Sequence, residues 1–135
     1  DYSLTNVMVG KNDPNVIAIL DWELSTLGDP CADFNYHCLQ YTMNPKLADK
    51  DYCKSQGIPI IDDYVKTYSE KIDIDLSQEW DLYTAYNLFK LAGILQGILG
   101  RVRDGTAAHE NAAERASGVR NLSDTAWNLV KKNFI

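Results

Sequence analysis

The sequence predicts a mainly α domain of the α+β class, with a small β-hairpin at its N-terminal end and helices thereafter. Three observations carry this. Two short β-branched runs, Asn6–Val9 and Val16–Leu20, flank a stretch dense in turn formers, Gly10-Lys11-Asn12-Asp13-Pro14-Asn15. Beyond Asp29-Pro30 the apolar residues recur at helical rather than alternating spacing. At 135 residues, 45% hydrophobic and 24% charged, the chain has the length and composition of one ordinary globular domain, 1–135.

The first element is the hairpin, whose second run, Val16–Leu20, suits a buried strand. Asp29 then caps and Pro30 opens a helix over Cys31–Tyr41, with Phe34, Cys38 and Tyr41 on one face. Asn44-Pro45 repeats that start signal for a helix to about Ser55, ended by Gly57-Ile58-Pro59. Ile61, Tyr64, Val65, Tyr68 and Ile72 mark a third helix. Ser77 is placed to cap the longest, which carries Trp80, Tyr83, Leu88, Leu91, Leu95, Ile98, Leu99 and Val102 and should be central. Gly93, Gly97 and Gly100 interrupt it, each at a cost of about 1 kcal/mol relative to Ala, and close packing or a bend would explain them. The segment His109–Gly118 reads as helical. Ser123 or Asp124 caps a last amphipathic helix with Ala126, Trp127 and Val130.

Composition removes several functions. A net charge of −6, from 19 acids and 13 bases, lacks the basic face that a nucleic-acid binder needs. Cys31, Cys38 and Cys53 form no Cys-x-x-Cys pair, so neither a disulfide framework nor a zinc ribbon is signalled, and His37 beside Cys38 reads as a packed helix residue. No stretch reaches the length of a membrane span and no signal peptide opens the chain. A cytoplasmic, reducing setting is the expectation.

The chemistry begins where the second run ends. Val16–Leu20 delivers Asp21 at its tip, followed by Trp22, Glu23 and Gly28-Asp29-Pro30. A carboxylate at a strand end suits a divalent cation, because the strand fixes the backbone while the acid faces open space. A second oxygen donor is then needed. Asp1 and Asn6, with four residues between them, have the spacing of the catalytic Asp and metal-binding Asn in protein kinases, which carry a second metal-binding Asp on the following hairpin.

Asp1-x-x-x-x-Asn6, Ile19-Leu20-Asp21-Trp22-Glu23 and Gly28-Asp29-Pro30-x-x-Asp33 together resemble the aminoglycoside phosphotransferase family of kinase-like enzymes. Phe89-Lys90-Leu91-Ala92-Gly93-Ile94-Leu95-Gln96-Gly97, with Arg101 and Asp104-Gly105-Thr106, is similar to the branch whose kinase domains are fused to, or encoded beside, acyl-CoA dehydrogenases. The resemblance covers nearly the whole chain. It implies the helical C-terminal lobe of a protein-kinase-like fold and ATP- and Mg2+-dependent phosphoryl transfer to a hydroxyl of a small-molecule acceptor, with a hydroxyacyl thioester as one candidate. By the same resemblance Asp1 is the catalytic base, while Asn6 and Asp21 hold magnesium and through it the nucleotide. Asp29 and Asp33 read first as a helix cap and as a buried hydrogen-bond acceptor supporting the catalytic loop. Glu23 stands where protein kinases have Gly and receives no role.

The resemblance also implies a preceding lobe with a phosphate-covering loop and a Lys, and a His-Gly pair before the base. Neither lies within these residues, so the chain is expected to be an inactive fragment, exposing an apolar surface and self-associating. Two other functions fit parts of the pattern. One is a catalytically silent helical binding module. The other is a haloacid-dehalogenase-type phosphatase, which wants a second Asp two residues after the first, where Glu23 stands, and a doubly wound parallel sheet.

Overall fold

A computed structural model describes residues 2–23, 25–108 and 111–135. The chain divides into two compact units, residues 1–76 and 77–135.

The first unit opens with a single 3-10 turn, Leu4–Asn6, that feeds β1 (Val7–Val9). β1 pairs antiparallel with β2 (Val16–Ile19) in the register Val7 to Ile19, Met8 to Ala18 and Val9 to Val16, with an irregularity between Met8 and Val9. The Asn15 carbonyl accepts the Gly10 N–H at 3.2 Å and closes the connection. The hairpin is where the sequence placed it, but its second strand is not buried within this chain. Val16 is 55% and Ile17 64% exposed. The physical reason is that a two-stranded ribbon has no second layer of its own. The antiparallel pair is the one sheet among the described residues, which offers none of the parallel architecture a haloacid-dehalogenase-type phosphatase requires.

Helix α1 (Pro30–Met43) begins as the sequence indicates, with the Asp29 carboxylate accepting the Cys31 N–H at 2.8 Å and Pro30 in the first turn. The helix expected over residues 45–55 is two, α2 (Pro45–Ala48) and α3 (Lys50–Ser55), because Asp49 between them turns its carboxylate onto the N–H groups of Asp51 and Tyr52. Gly57 ends α3 at φ +67°, with the Gly57 N–H on the Lys54 carbonyl and the Ile58 N–H on that of Cys53. Helix α4 (Ile61–Ile72) matches its periodicity. Cys31, Phe34, Asn35, Cys38, Leu39 and Cys53 are buried in this unit, and the three cysteines are free thiols.

The second unit is built on α5 (Trp80–Arg103), which packs against α6 (Ala112–Arg115) and along α7 (Val119–Phe134). Its start lies after a turn over residues 77–79, so Ser77 is not its cap. α7 likewise begins four residues before Ser123, whose hydroxyl donates back to the Val119 carbonyl within the helix. α6 is shorter than the helix expected there, and His109 and Glu110 lie outside the described residues. Of the apolar residues read as the core stripe of α5, Leu88 is fully buried, while Thr84, Ala85, Asn87 and Ala92 supply the rest of the buried face. Among the described residues no helix is long and apolar enough to cross a membrane.

Candidate active site: the strand-end turn and its supports

Hairpin register decides what stands beside Asp21. One step beyond the Val7–Ile19 pair, the Leu20 N–H donates to the Asn6 carbonyl at 2.7 Å. The ladder therefore ends on Asn6 and Leu20, and Asp21 follows directly. Asn6 is itself held by the 3-10 turn, its N–H on the Ser3 carbonyl at 3.0 Å. An amide and a carboxylate, fifteen positions apart in sequence, thus belong to neighbouring residues at one end of a two-stranded ribbon.

Asp21 adopts φ +64°. This left-handed conformation costs an L-residue about 1–2 kcal/mol, with Asp and Asn the side chains that tolerate it best. Neighbouring hydrogen bonds hold the turn. The Trp22 indole N–H donates to the Ile19 carbonyl at 2.6 Å, and the Ser25 N–H and hydroxyl both donate to the Trp22 carbonyl, at 3.0 and 2.6 Å. Asp21 is exposed, and so is Glu23.

The N-terminal segment is tied to α1 at a separate point. The Tyr2 N–H donates to Asp33 Oδ1 at 3.2 Å, and the Tyr2 ring lies 5.2 Å from the His37 ring, centroid to centroid. His37 Nε2 and the Tyr64 hydroxyl on α4 are 3.2 Å apart in a hydrogen bond. Below them Phe34 stacks on Tyr68 at 3.8 Å and meets Tyr64 edge-on at 5.2 Å. The Tyr68 hydroxyl donates to the Pro30 carbonyl at 3.3 Å. Burial lowers the pKa of His37, partly opposed by the Asp33 carboxylate. Burial also pushes the Cys38 thiol up to about 12, which leaves it an inert thiol at neutral pH.

Asp29 is a helix cap, and Asp33, half-buried and not buried as expected, accepts the Tyr2 N–H. Asn6 and Asp21 are brought to one strand end by the register, and Asp1 lies outside the described residues. Among the described residues no cluster of three or more His, Cys, Asp and Glu side chains is assembled as a metal site. Tyr2, His37 and Tyr64 were not singled out from sequence as supports. The helical spacing of Asp33 and His37 was visible, but the arrival of Tyr2 and Tyr64 needs the tertiary fold.

Among the described residues, a small antiparallel hairpin whose strand-end turn bears a carboxylate is followed by helices, the mainly α class with an N-terminal hairpin. Residues 1–86 match the phosphotransferase enzyme family, and the chain belongs to that family. It is 34% identical to mouse (Mus musculus) acyl-CoA dehydrogenase family member 10, over 98% of this chain and 13% of that protein. It is 32% identical to human (Homo sapiens) acyl-CoA dehydrogenase family member 11, over 99% of this chain and 18% of that protein. The chain thus spans less than a fifth of either relative, and the dehydrogenase-linked branch indicated by its motifs is the one it matches. No solved structure matches it significantly.

Proposed function

We propose that the chain supplies the cation-holding and proton-accepting half of an ATP- and Mg2+-dependent phosphotransferase acting on a hydroxyl of a small molecule. The observation that carries this reading is the hairpin register, which ends on Asn6 and Leu20 with Asp21 next in line. An amide oxygen and a carboxylate are hard donors of the kind magnesium takes, and two protein ligands suit a cation that keeps several waters and shares phosphate oxygens with its substrate. Asn6 and Asp21 would hold it. When bound, the cation neutralises charge on the transferring phosphoryl group. Asp1, on the family resemblance, accepts the proton of the attacking hydroxyl, and Asp33 positions its neighbour Tyr2 through the backbone N–H.

The nucleotide-binding lobe that this chemistry needs belongs to a longer protein, a view supported by relatives that carry far more chain than this. Those relatives are named as acyl-CoA dehydrogenases, which favours a hydroxyacyl thioester as acceptor over an aminoglycoside. Three free, buried thiols favour a reducing, intracellular setting.

The test uses the longer protein. Asp21→Ala should abolish turnover and weaken magnesium-dependent nucleotide binding. Asn6→Ala should do both more mildly, since a neutral amide gives the cation less charge. Asp1→Asn should retain nucleotide binding while turnover falls about 100-fold or more, the scale of losing a general base. Calorimetric titration of magnesium and nucleotide, run beside a phosphoryl-transfer assay, separates these outcomes. Full affinity and full turnover in Asp21→Ala would make the strand-end carboxylate structural and end the proposal.

A further inference from the structure

We propose that His37 is a positioning residue whose neutral ring seats Tyr2, and that its protonation releases the N-terminal segment from α1. The proposal rests on geometry in the first unit. Tyr2 is held at two points, its N–H on Asp33 Oδ1 at 3.2 Å and its ring against that of His37 at 5.2 Å. Asp33 and His37 are four residues apart on α1, so they share one face of the helix. Among the described residues the groups facing His37 are Asp33 from its own helix, Tyr2 from the N-terminal segment, and Tyr64 from α4, whose hydroxyl is bonded to Nε2. Phe34 closes the cluster, its ring 6.5 Å from that of His37.

In the neutral ring with Nε2 bare, the Tyr64 hydroxyl donates to it, and Asp33 Oδ1 accepts the Tyr2 N–H. A proton on Nε2 reverses both. The ring nitrogen becomes a donor, so the phenol must turn its lone pair inward. The new imidazolium also attracts the Asp33 carboxylate in competition with the Tyr2 amide. The hydrogen bond that seats Tyr2 on Asp33 therefore weakens on one proton. Burial holds the His37 pKa below 6.5, so the seat is intact at neutral pH and is lost on acidification. The residue preceding Tyr2 is Asp1, so the consequence for catalysis rests on the phosphotransferase reading.

The experiment needs neither nucleotide nor acceptor, so it can fail independently of that reading. The His37 ring and the Tyr2 amide are followed by NMR in the chain between pH 4 and 8, with amide exchange corrected for its intrinsic pH dependence. The expected result is one shared midpoint below 6.5 for His37 titration and for loss of Tyr2 amide protection. His37→Gln should make Tyr2 protection independent of pH over the same range. Asp33→Asn keeps an oxygen acceptor for Tyr2 while removing the charge, and should move the His37 midpoint further down. A Tyr2 amide that does not respond as His37 titrates overturns the proposal, as does an unchanged pH response in His37→Gln. The wild-type co-titration decides the matter by itself if a variant does not fold.

Discussion

Asp21 illustrates how a residue's backbone and side chain can be separated by experiment. Its left-handed φ of +64° is a local cost, and its carboxylate is the proposed cation ligand. Asn tolerates the same conformation, so Asp21→Asn should leave stability within about 0.5 kcal/mol while removing the charge. Asp21→Gly should gain up to about 1 kcal/mol by relieving the φ, offset in part by the freedom glycine has when unfolded. Urea melts of the two variants check both figures. Destabilisation by Asp21→Gly would show that the side chain, and not its strain, dominates the turn. His37 adds a pH dependence of definite sign. Its folded pKa lies below 6.5, so between those values the unfolded chain binds a proton that the folded chain does not, and stability falls as pH falls through the window. His37→Gln should flatten that slope in melts taken across the same range. At this scale the sequence exposed Asn6, Asp21 and Asp29 through local patterns. The Tyr2–His37–Tyr64 cluster joins residues 2, 37 and 64, a separation that no periodicity spans.

Element starts and stops were legible where one local device decides them, and illegible where two compete. Asp29-Pro30 and Gly57 read correctly because a cap before Pro and a glycine after the last turn have few other uses. Asp49 split an apparently continuous helix because its carboxylate bonds nearby N–H groups as readily as it faces water. The stretch Asp104-Gly105-Thr106, which carries part of the family resemblance, has a plain physical meaning at the end of α5. The Thr106 N–H bonds the Arg101 carbonyl at 2.8 Å and the Gly105 N–H that of Val102 at 3.1 Å, with Gly105 at φ +71°. Gly105→Ala should therefore cost about 1 kcal/mol. The opposite is expected inside the same helix. Among the described residues a Cβ at Gly93 meets nothing within 4 Å, and one at Gly97 meets Arg101 Nη1 at 3.9 Å, an ordinary contact. Close packing among the described residues thus does not explain these two glycines. Gly93→Ala should stabilise by about 1 kcal/mol, the ordinary helix-propensity gain, and Gly97→Ala by a similar amount. Denaturant midpoints of the three variants test the pattern, and a loss of stability at Gly93 would mean that the helix itself needs the glycine.

At the scale of the whole chain the exposed surface is the controlling quantity. Much of the apolar part lies on the hairpin and the turn after it, where Val9, Val16, Ile17 and Trp22 are all more than half exposed. Residue patterning identified the second strand as core material, and it could not show that its side chains stand exposed. A ribbon of this kind also leaves unpaired backbone at its edges, which favours pairing with another copy. The isolated chain should therefore self-associate at micromolar concentrations and bind an apolar dye such as ANS. Ile17→Lys places a charge on the exposed strand without removing a buried contact, so it should lower both the association and the dye signal while leaving the helical circular dichroism unchanged. Sedimentation velocity across a concentration series measures the first and fluorescence the second. A wild-type chain that stays monomeric and dark to the dye would show that the hairpin surface is covered in solution by some rearrangement of the chain itself.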